Sequence, residues 1–368
     1  MIRVLFVLPN LQGGGAERVA LDLVRHLDRR DFRPCFFLLK DEGQLRDSVP
    51  DDVPVRAGNP RRRLCEQLPW LLSAIMDEAR RNDVVVGALE LDATFAACAA
   101  ARVARRPFVA WVHTVLDRFL EEKAGRLRAV ATRLLYPRFP VVVVPSAAVG
   151  ASLRRRARVS EGRIVEIPNL LDLDRVTRLA AEPVALDLND AATVVAVGRL
   201  DFQKGFDLLL EAHARLRRRG IEHRLVIVGE GPNRRDLELK AATLGVADSV
   251  IFPGFLKNPY PLMQAARVFV LSSRFEGFGM ALLEALALSV PVVSTDCGAG
   301  PREILADGRF GRLVPPEDPE ALARAIEEAL RENAGDEAAR RSRMQRVLEF
   351  VPDRIVPRWE ALFRQLVS

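Results

Sequence analysis

The sequence predicts an α/β chain of two doubly wound domains, each a parallel sheet covered by helices on both faces. Three observations carry that reading. Short apolar, β-branched runs recur along the chain, continuous rather than alternating, as strands buried on both faces require. Amphipathic segments of helix length lie between them. The runs also fall into two sets, and 368 residues exceed what one core holds.

Taken in order, the first set is "VLFVL", "CFFLL", "VPVRA", "VVVGA", "FVAWVH", "VVVVPS" and "IVEIPN". The second is "TVVAVG", "RLVIVG", "VIFPGF", "VFVLSS", "VPVVST" and "GRLVP". Helices such as "GAERVALDLVRHL" and "KGFDLLLEAHARLRRRG" fill the gaps, the second closing at Gly220. Between the sets, "NLLDLDRVTRLAAEPVALDLNDAA" lacks strand signal and carries turn residues, as a hinge does. The expected boundaries are a first domain over 1–170, a hinge over 171–191 and a second domain over 192–347.

Composition points to an ordinary globular protein, with 49% apolar and 28% charged residues. No apolar run reaches the roughly 18 residues that span a bilayer, and "MIRVLFVLPN" reads as a first buried strand, not a leader. The four cysteines, Cys35, Cys65, Cys98 and Cys297, have no metal or redox spacing, and the four histidines are equally dispersed. This pattern fits a reducing cytoplasm, and no metal site is expected. Positive charge is uneven: 28 Lys and Arg face 20 Asp and Glu through Asn169, against 27 and 29 after it. A basic front half fits an anionic partner such as membrane lipid or a phosphorylated acceptor, and equally fits a surface that uses Arg where others use Lys. No aromatic-interleaved basic patch marks a nucleic-acid binder.

Ligands of doubly wound sheets bind beyond the carboxyl ends of the strands, so the loops there are the candidate sites. After the first strand, "LQGGGAERV" places Gly14 and Gly15 at a helix start, where the backbone approaches a ligand closely and N–H groups meet an anion. The spacing is not that of a dinucleotide fingerprint, and a tight strand-to-helix turn explains it as well. After "TVVAVG", Arg199 and Lys204 stand five residues apart across a turn, a spacing that suits a diphosphate clamp or two solvated cations. After "RLVIVG", Gly229 and Gly231 shape the turn into the next helix, beside a ligand or as plain punctuation. The fourth loop is "SSRFEGFGMALLEALAL". Glu276 lies in it, and Glu284 lies over one turn inside the following helix. A buried carboxylate is costly without a partner, and carboxylates accept from pairs of sugar hydroxyls. The backbone of Phe278, Gly279, Met280 and Ala281 forms the helix start between the two, ready for an anion. Two carboxylates flanking an anion site match the ribose, diphosphate and hexose of a nucleotide sugar.

The Glu-x7-Glu spacing of "EGFGMALLE", the cation pair of "GRLDFQKG", the "GGGAERV" loop and "IPN" before the hinge together resemble the retaining glycosyltransferases of family 4. The resemblance runs over essentially the whole chain. It implies the GT-B fold, two Rossmann-like domains facing a central cleft, with 348–368 forming a helix that crosses back to the first domain. "CGAGPREIL" and "NPYPLM" look like members that build bacterial surface polysaccharide or lipopolysaccharide. Carried over by motif, Arg199 and Lys204 hold the donor diphosphate, Glu284 the ribose, and Glu276 the hydroxyls of the transferred sugar. Gly14 and Gly15 face the donor from the first domain, and residues 252–257 flank the base. His113, ending "FVAWVH", falls where the family places a histidine beside the reacting sugar. Without the family it reads as a hydrogen-bonded residue at a strand end.

The resemblance further implies metal-independent transfer from a nucleotide-sugar donor, UDP-linked, to a lipid-linked or cell-envelope glycan, with no cofactor. The enzyme is expected in the cytoplasm, peripheral to the inner membrane. The helix within Glu121–Pro140, carrying Arg126, Arg128 and Arg133, either rests on anionic lipid or packs on the sheet. "DLD" at Asp172–Asp174 reads as part of the linker and not as a manganese-holding pair. A nucleotide-sugar epimerase of the same architecture and a non-catalytic nucleotide-sugar binder remain as alternatives.

Overall fold

All thirteen apolar runs are strands in the computed structural model, which describes residues 1–61, 63–89, 91–117, 125–184, 186, 192–332 and 336–368. The chain divides into two units. The first comprises Met1–Leu170 with Pro352–Ser368, and the second Leu171–Val351.

In the first unit the strands are β1 (Ile2–Leu8), β2 (Phe32–Leu38), β3 (Val55–Ala57), β4 (Val84–Ala88), β5 (Phe108–Trp111), β6 (Val141–Val144) and β7 (Ile164–Glu166). They pair in parallel in the order β3-β2-β1-β4-β5-β6-β7, with β1 and β2 in register from Ile2–Phe32 to Leu8–Leu38. Its helices are α1 (Gly15–His26), α2 (Leu64–Arg81), α3 (Asp92–Ala104), α4 (Gly125–Leu135) and α5 (Ala147–Ala157).

The second unit opens with α6 (Leu173–Ala180), then β8 (Thr193–Val197), α7 (Phe206–Arg218), β9 (Arg224–Val228), α8 (Arg234–Thr243) and β10 (Val250–Gly254). It continues with α9 (Tyr260–Ala265), β11 (Val268–Leu271), α10 (Met280–Ala287), β12 (Val292–Thr295), α11 (Ala299–Ile304) and β13 (Arg312–Val314). It closes with α12 (Pro319–Arg331) and α13 (Glu337–Val347). The parallel order is β10-β9-β8-β11-β12-β13. Neighbouring residues feed opposite cores. Val195 and Phe269 pack on one face of the sheet, and Val194, Ala196, Val268 and Val270 on the other. Consecutive residues of these strands are therefore both buried among apolar side chains, the reason the runs are continuous.

The stretch read as a hinge begins with ordered structure. Leu171 donates its N–H to the Phe350 carbonyl at 2.8 Å, and the Asp172 carboxylate accepts from the Arg175 amide at 2.9 Å, capping α6. Leu173, Val176 and Leu179 recur at helical spacing and pack in the core of the second unit, with α6 against α9 and α10. Residues 185 and 187–191 of the stretch lie outside the described residues.

Helix α14 (Pro352–Val367) completes the first unit. Trp359 meets Trp111 edge-on with ring centroids 4.6 Å apart, and Phe363 lies 6.3 Å from Phe6 and 6.1 Å from Phe32. The Arg364 guanidinium bridges to Asp31 at 2.9 Å, and Glu360 accepts from the Asp28 amide at 3.0 Å. Trp359 is fully buried, so Trp359→Ala should cost about 3–5 kcal/mol of stability. A urea midpoint for the first-unit transition that does not move would contradict this packing.

Candidate functional site

Doubly wound sheets bind ligands where the strand order reverses, because the loops there diverge and leave a crevice. In the second unit that point lies between β8 and β11. The loop after β8 runs through a 3-10 turn at Phe202–Lys204 to Gly205, whose φ is +60°. A Cβ on Gly205 would stand 2.2 Å from the Ser272 carbonyl oxygen, so glycine is required both by conformation and by the approach of the second loop.

The two loops meet at a buried ion pair. The Lys204 ammonium donates to Glu276 Oε1 at 2.5 Å, and the Ser273 hydroxyl donates to the same oxygen at 2.7 Å. Only 20% of the Lys204 side chain and 8% of the Glu276 side chain are exposed. Burial works against the Lys204 charge, but the adjoining Glu276 carboxylate outweighs it and holds the ammonium above its ordinary pKa. Cys297 lies beside the pair, its thiol pushed up to about 12 by burial and by the Glu276 charge, and is therefore un-ionised. Arg199 differs: its side chain is 69% exposed and 4.0 Å from the Asp201 carboxylate.

Glu284 is held from a different side. Tyr260, fully buried at the start of α9, donates its hydroxyl to Glu284 Oε1 at 2.9 Å, and the Arg175 guanidinium on α6 donates to that hydroxyl at 3.4 Å. Gly279, with φ of +101°, starts α10, so the amides of Met280 and Ala281 open the helix between the two carboxylates. Phe278 sends its ring into the core, 5.8 Å from the Phe350 ring, leaving only its backbone to line a site. Gly229 and Gly231 serve close backbone packing: a Cβ on either would fall 1.9 Å from the Gly198 carbonyl or 2.3 Å from that of Leu200. The structure thus gathers Lys204, Glu276, Glu284 and the α10 start at one edge of one sheet. A cation and free helix amides there suit an anion, and two carboxylates suit hydroxyls.

Several residues that build this site escape sequence reasoning. Arg274 is bidentate to Asp207, 2.7 Å at each nitrogen, and also reaches Glu317 at 2.7 Å and the Phe202 carbonyl at 3.0 Å. Its guanidinium lies 4.1 Å from the centre of the Phe202 ring. Burial opposes the Asp207 charge, yet the Arg274 contacts keep its carboxyl below the usual range. Only the position of Arg274 two residues before Glu276 hinted at it. Asp207 reads in sequence as an ordinary acid in a first helical turn. Tyr260 and Arg175 gave no local signal.

Gly14, Gly15 and His113 belong to the first unit. Gly14 caps α1 in extended conformation, and a Cβ there would come within 2.3 Å of a Glu17 carboxylate oxygen. The α1 start thus carries an acid of its own. The His113 ring stands 4.5 Å from that of Trp111, and burial pushes its pKa down to about 3. In α4, Arg128 pairs with Asp92 at 2.6 Å, while Val130 and Leu134 are more than half exposed. Residues 118–124 and the side chains of Arg126 and Leu127 lie outside the described residues. Since the folded state keeps His113 neutral well below 6.5, the unfolded chain takes up a proton first as pH falls. His113→Gln should therefore lose less stability than the parent between pH 6.5 and about 3, and superimposable stability profiles would refute the assignment.

Residues 13–175 match the profile of Glycosyltransferase Family 4, and residues 182–346 that of glycosyl transferases group 1. The chain is 32% identical over 200 residues, 54% of its length and 53% of the relative's, to an N-acetylgalactosaminyltransferase of Campylobacter jejuni that acts on a diphospho-undecaprenol-linked substrate. It is 36% identical over 219 residues, 58% of its length and 60% of the relative's, to the lipopolysaccharide core biosynthesis glycosyltransferase LpsE of Rhizobium meliloti. These matches span about half the length of the curated relatives. The fold matches Anabaena HepE, solved with UDP-glucose, at a TM-score of 0.84 and 22% identity over 99% of this chain and 100% of that one. Among the described residues, no helix is long and apolar enough to cross a membrane. The first half of the chain is therefore matched by a Glycosyltransferase Family 4 model and the second by a glycosyl transferases group 1 model, and both are Rossmann-like sheets of the GT-B type.

Proposed function

We propose that the protein is a retaining, metal-independent glycosyltransferase that moves a sugar from a UDP-linked donor to a lipid-linked or cell-envelope glycan. The observation that carries this is the Lys204–Glu276 pair beside the α10 start and Glu284, at the switch point of the second sheet. The donor class draws support from HepE, solved with UDP and with UDP-glucose. The acceptor class draws support from relatives that act on a polyprenol-linked substrate and in lipopolysaccharide biosynthesis.

In this reading Glu284 accepts from the ribose hydroxyls, steadied by Tyr260, and Glu276 accepts from hydroxyls of the transferred sugar. The bond between the anomeric carbon and the diphosphate oxygen breaks, and its electron pair leaves with the diphosphate. Lys204 and the amides of Met280 and Ala281 receive that charge without reorganising, which is where fixed dipoles lower a barrier most, and the exposed Arg199 closes on the diphosphate as a second cation. The acceptor hydroxyl joins the carbon on the face just vacated, retaining configuration, and gives its proton to the departing diphosphate. His113, neutral through burial, orients hydroxyl groups and does not act as the base.

The acceptor side includes the membrane. Val130 at 54% and Leu134 at 55% exposure lie one turn apart on α4, next to the exposed Arg133. That apolar strip with basic flanks suits the anionic cytoplasmic leaflet.

Lys204→Ala and Arg199→Ala should each cut turnover of UDP-glucose about 10²–10³-fold with the circular dichroism spectrum retained, and EDTA should leave transfer unchanged. Full turnover in both variants would sink the donor-site assignment. Val130→Asp with Leu134→Asp should lower sedimentation with phosphatidylglycerol vesicles, whereas undiminished sedimentation would remove the membrane from the proposal.

A further inference from the structure

Two of the four histidines meet inside the second unit. His213 stands midway along α7, His223 directly before β9, and Ser249 directly before β10. His213 Nδ1 lies 2.8 Å from His223 Nε2, and His213 Nε2 lies 2.8 Å from the Ser249 hydroxyl. All three side chains are buried.

The ends of this chain of contacts fix where its hydrogens sit. His223 Nδ1 lies 3.0 Å from the Ile221 carbonyl. A carbonyl only accepts, so that nitrogen carries a hydrogen. Neutral His223 then has a bare Nε2, which accepts from His213 Nδ1–H. His213 in turn has a bare Nε2, which accepts from the Ser249 hydroxyl. Both imidazoles are therefore Nδ1–H tautomers. The hydroxyl has a second acceptor, the Val246 carbonyl at 3.0 Å, and serves one of the two at a time.

An added proton has one place to go. Between the two imidazoles it would set two hydrogens against each other. On His213 Nε2 it donates to the Ser249 oxygen, whose hydroxyl turns to Val246. No hydrogen bond is lost, but a positive charge is now enclosed, which is costly without a partner. The charges nearby are committed elsewhere. Arg217 on α7 pairs with Glu222, the residue before His223. Of the helices packed on α7, α12 has Glu320 and Glu327 held by Arg215 and Arg219, and α8 has Lys240 held by Glu211. Asp248, beside Ser249, is exposed. Burial pushes His213 down to about 3, with His223 and Arg217 adding to it, and pushes His223 down as well.

The contacts tie α7 to the entries of two strands. The other end of α7 carries Asp207, which Arg274 grips beside the candidate site. We infer that His223, His213 and Ser249 form an acid-sensitive clasp on α7, closed while both rings are neutral and loosened when His213 gains a proton. Whether the protein transfers sugar does not enter this inference.

The folded state keeps the rings neutral well below 6.5, so the unfolded chain takes up their protons first. Stability of this region is thus full above 6.5 and is lost as pH falls below it. Between pH 7.5 and 5.5 ordinary carboxylates stay ionised, and each ring held neutral lowers the opening equilibrium's protection about tenfold. Hydrogen exchange of the α7 amides of Leu209, Leu210 and Ala212 reads this locally. Their protection factors, corrected for intrinsic exchange, should drop at least tenfold over that interval, and about tenfold less in His213→Gln. A drop of equal size in His213→Gln and the parent would overturn the inference. Should that variant not fold, long-range proton–nitrogen NMR of the parent at pH 7.5 decides. Nδ1–H tautomers at both positions are expected, and an Nε2–H tautomer or a charged ring at either would overturn the clasp.

Discussion

The ion pair between Lys204 and Glu276 is the constraint around which the second unit is arranged. Taking either charge out of water alone costs several kcal/mol, and a pair breaks even only when its geometry is good and the remaining lone pairs are satisfied. Here the 2.5 Å contact supplies the geometry, and the Ser273 hydroxyl gives the same carboxylate oxygen a second hydrogen bond. The pair joins two loops that leave adjacent strands, so neither loop can shift without stranding a charge. Such pairs add little net stability compared with an apolar replacement. Their persistence at a strand-order reversal fits a polar ligand that shares both groups.

The backbone around the pair is locked by independent means. Arg274 grips Asp207 from the second loop, and its own amide donates to the Gln203 carbonyl at 2.7 Å. The Ser272 hydroxyl donates to the Lys204 carbonyl at 2.9 Å. Gly205, Gly229 and Gly231 let carbonyls approach where a Cβ would collide, and a Cβ on Gly198 would crowd the Lys204 side chain at 3.1 Å. Rigid loops hold charges where a transition state needs them, since dipoles that need not turn are effective at once.

Much of this was legible from residue order. The thirteen strands announce themselves because both faces of each sheet are covered, so the runs are apolar at consecutive rather than alternate positions. The loops that carry Lys204, Glu276 and Glu284 follow from the rule that binding lies beyond strand ends. Less legible was anything that depends on the pairing of distant loops. Gly229 and Gly231 read in sequence as glycines beside a ligand or as turn punctuation, and their close approach to the carbonyls of Gly198 and Leu200 has no local signal. Phe278 sits inside the loop motif and spends its ring on the core. Tyr260 reaches Glu284 from 24 positions away, which no local pattern records. The helix over 173–180 was hidden because a short run of Leu and Val at helical spacing competes with flanking turn residues.

Helix α14 supplies Trp359 and Phe363 to the core of the first unit, although 181 residues of the second unit come between. During synthesis the first sheet therefore emerges from the ribosome long before its covering helix exists. The second unit, whose residues are contiguous, has all its parts earlier. Ordinarily the N-terminal domain of a chain matures first. Here the order is inverted: the leading unit waits with an open apolar face until residues 352–367 are made, and is the one exposed to chaperones or misassembly in the interval.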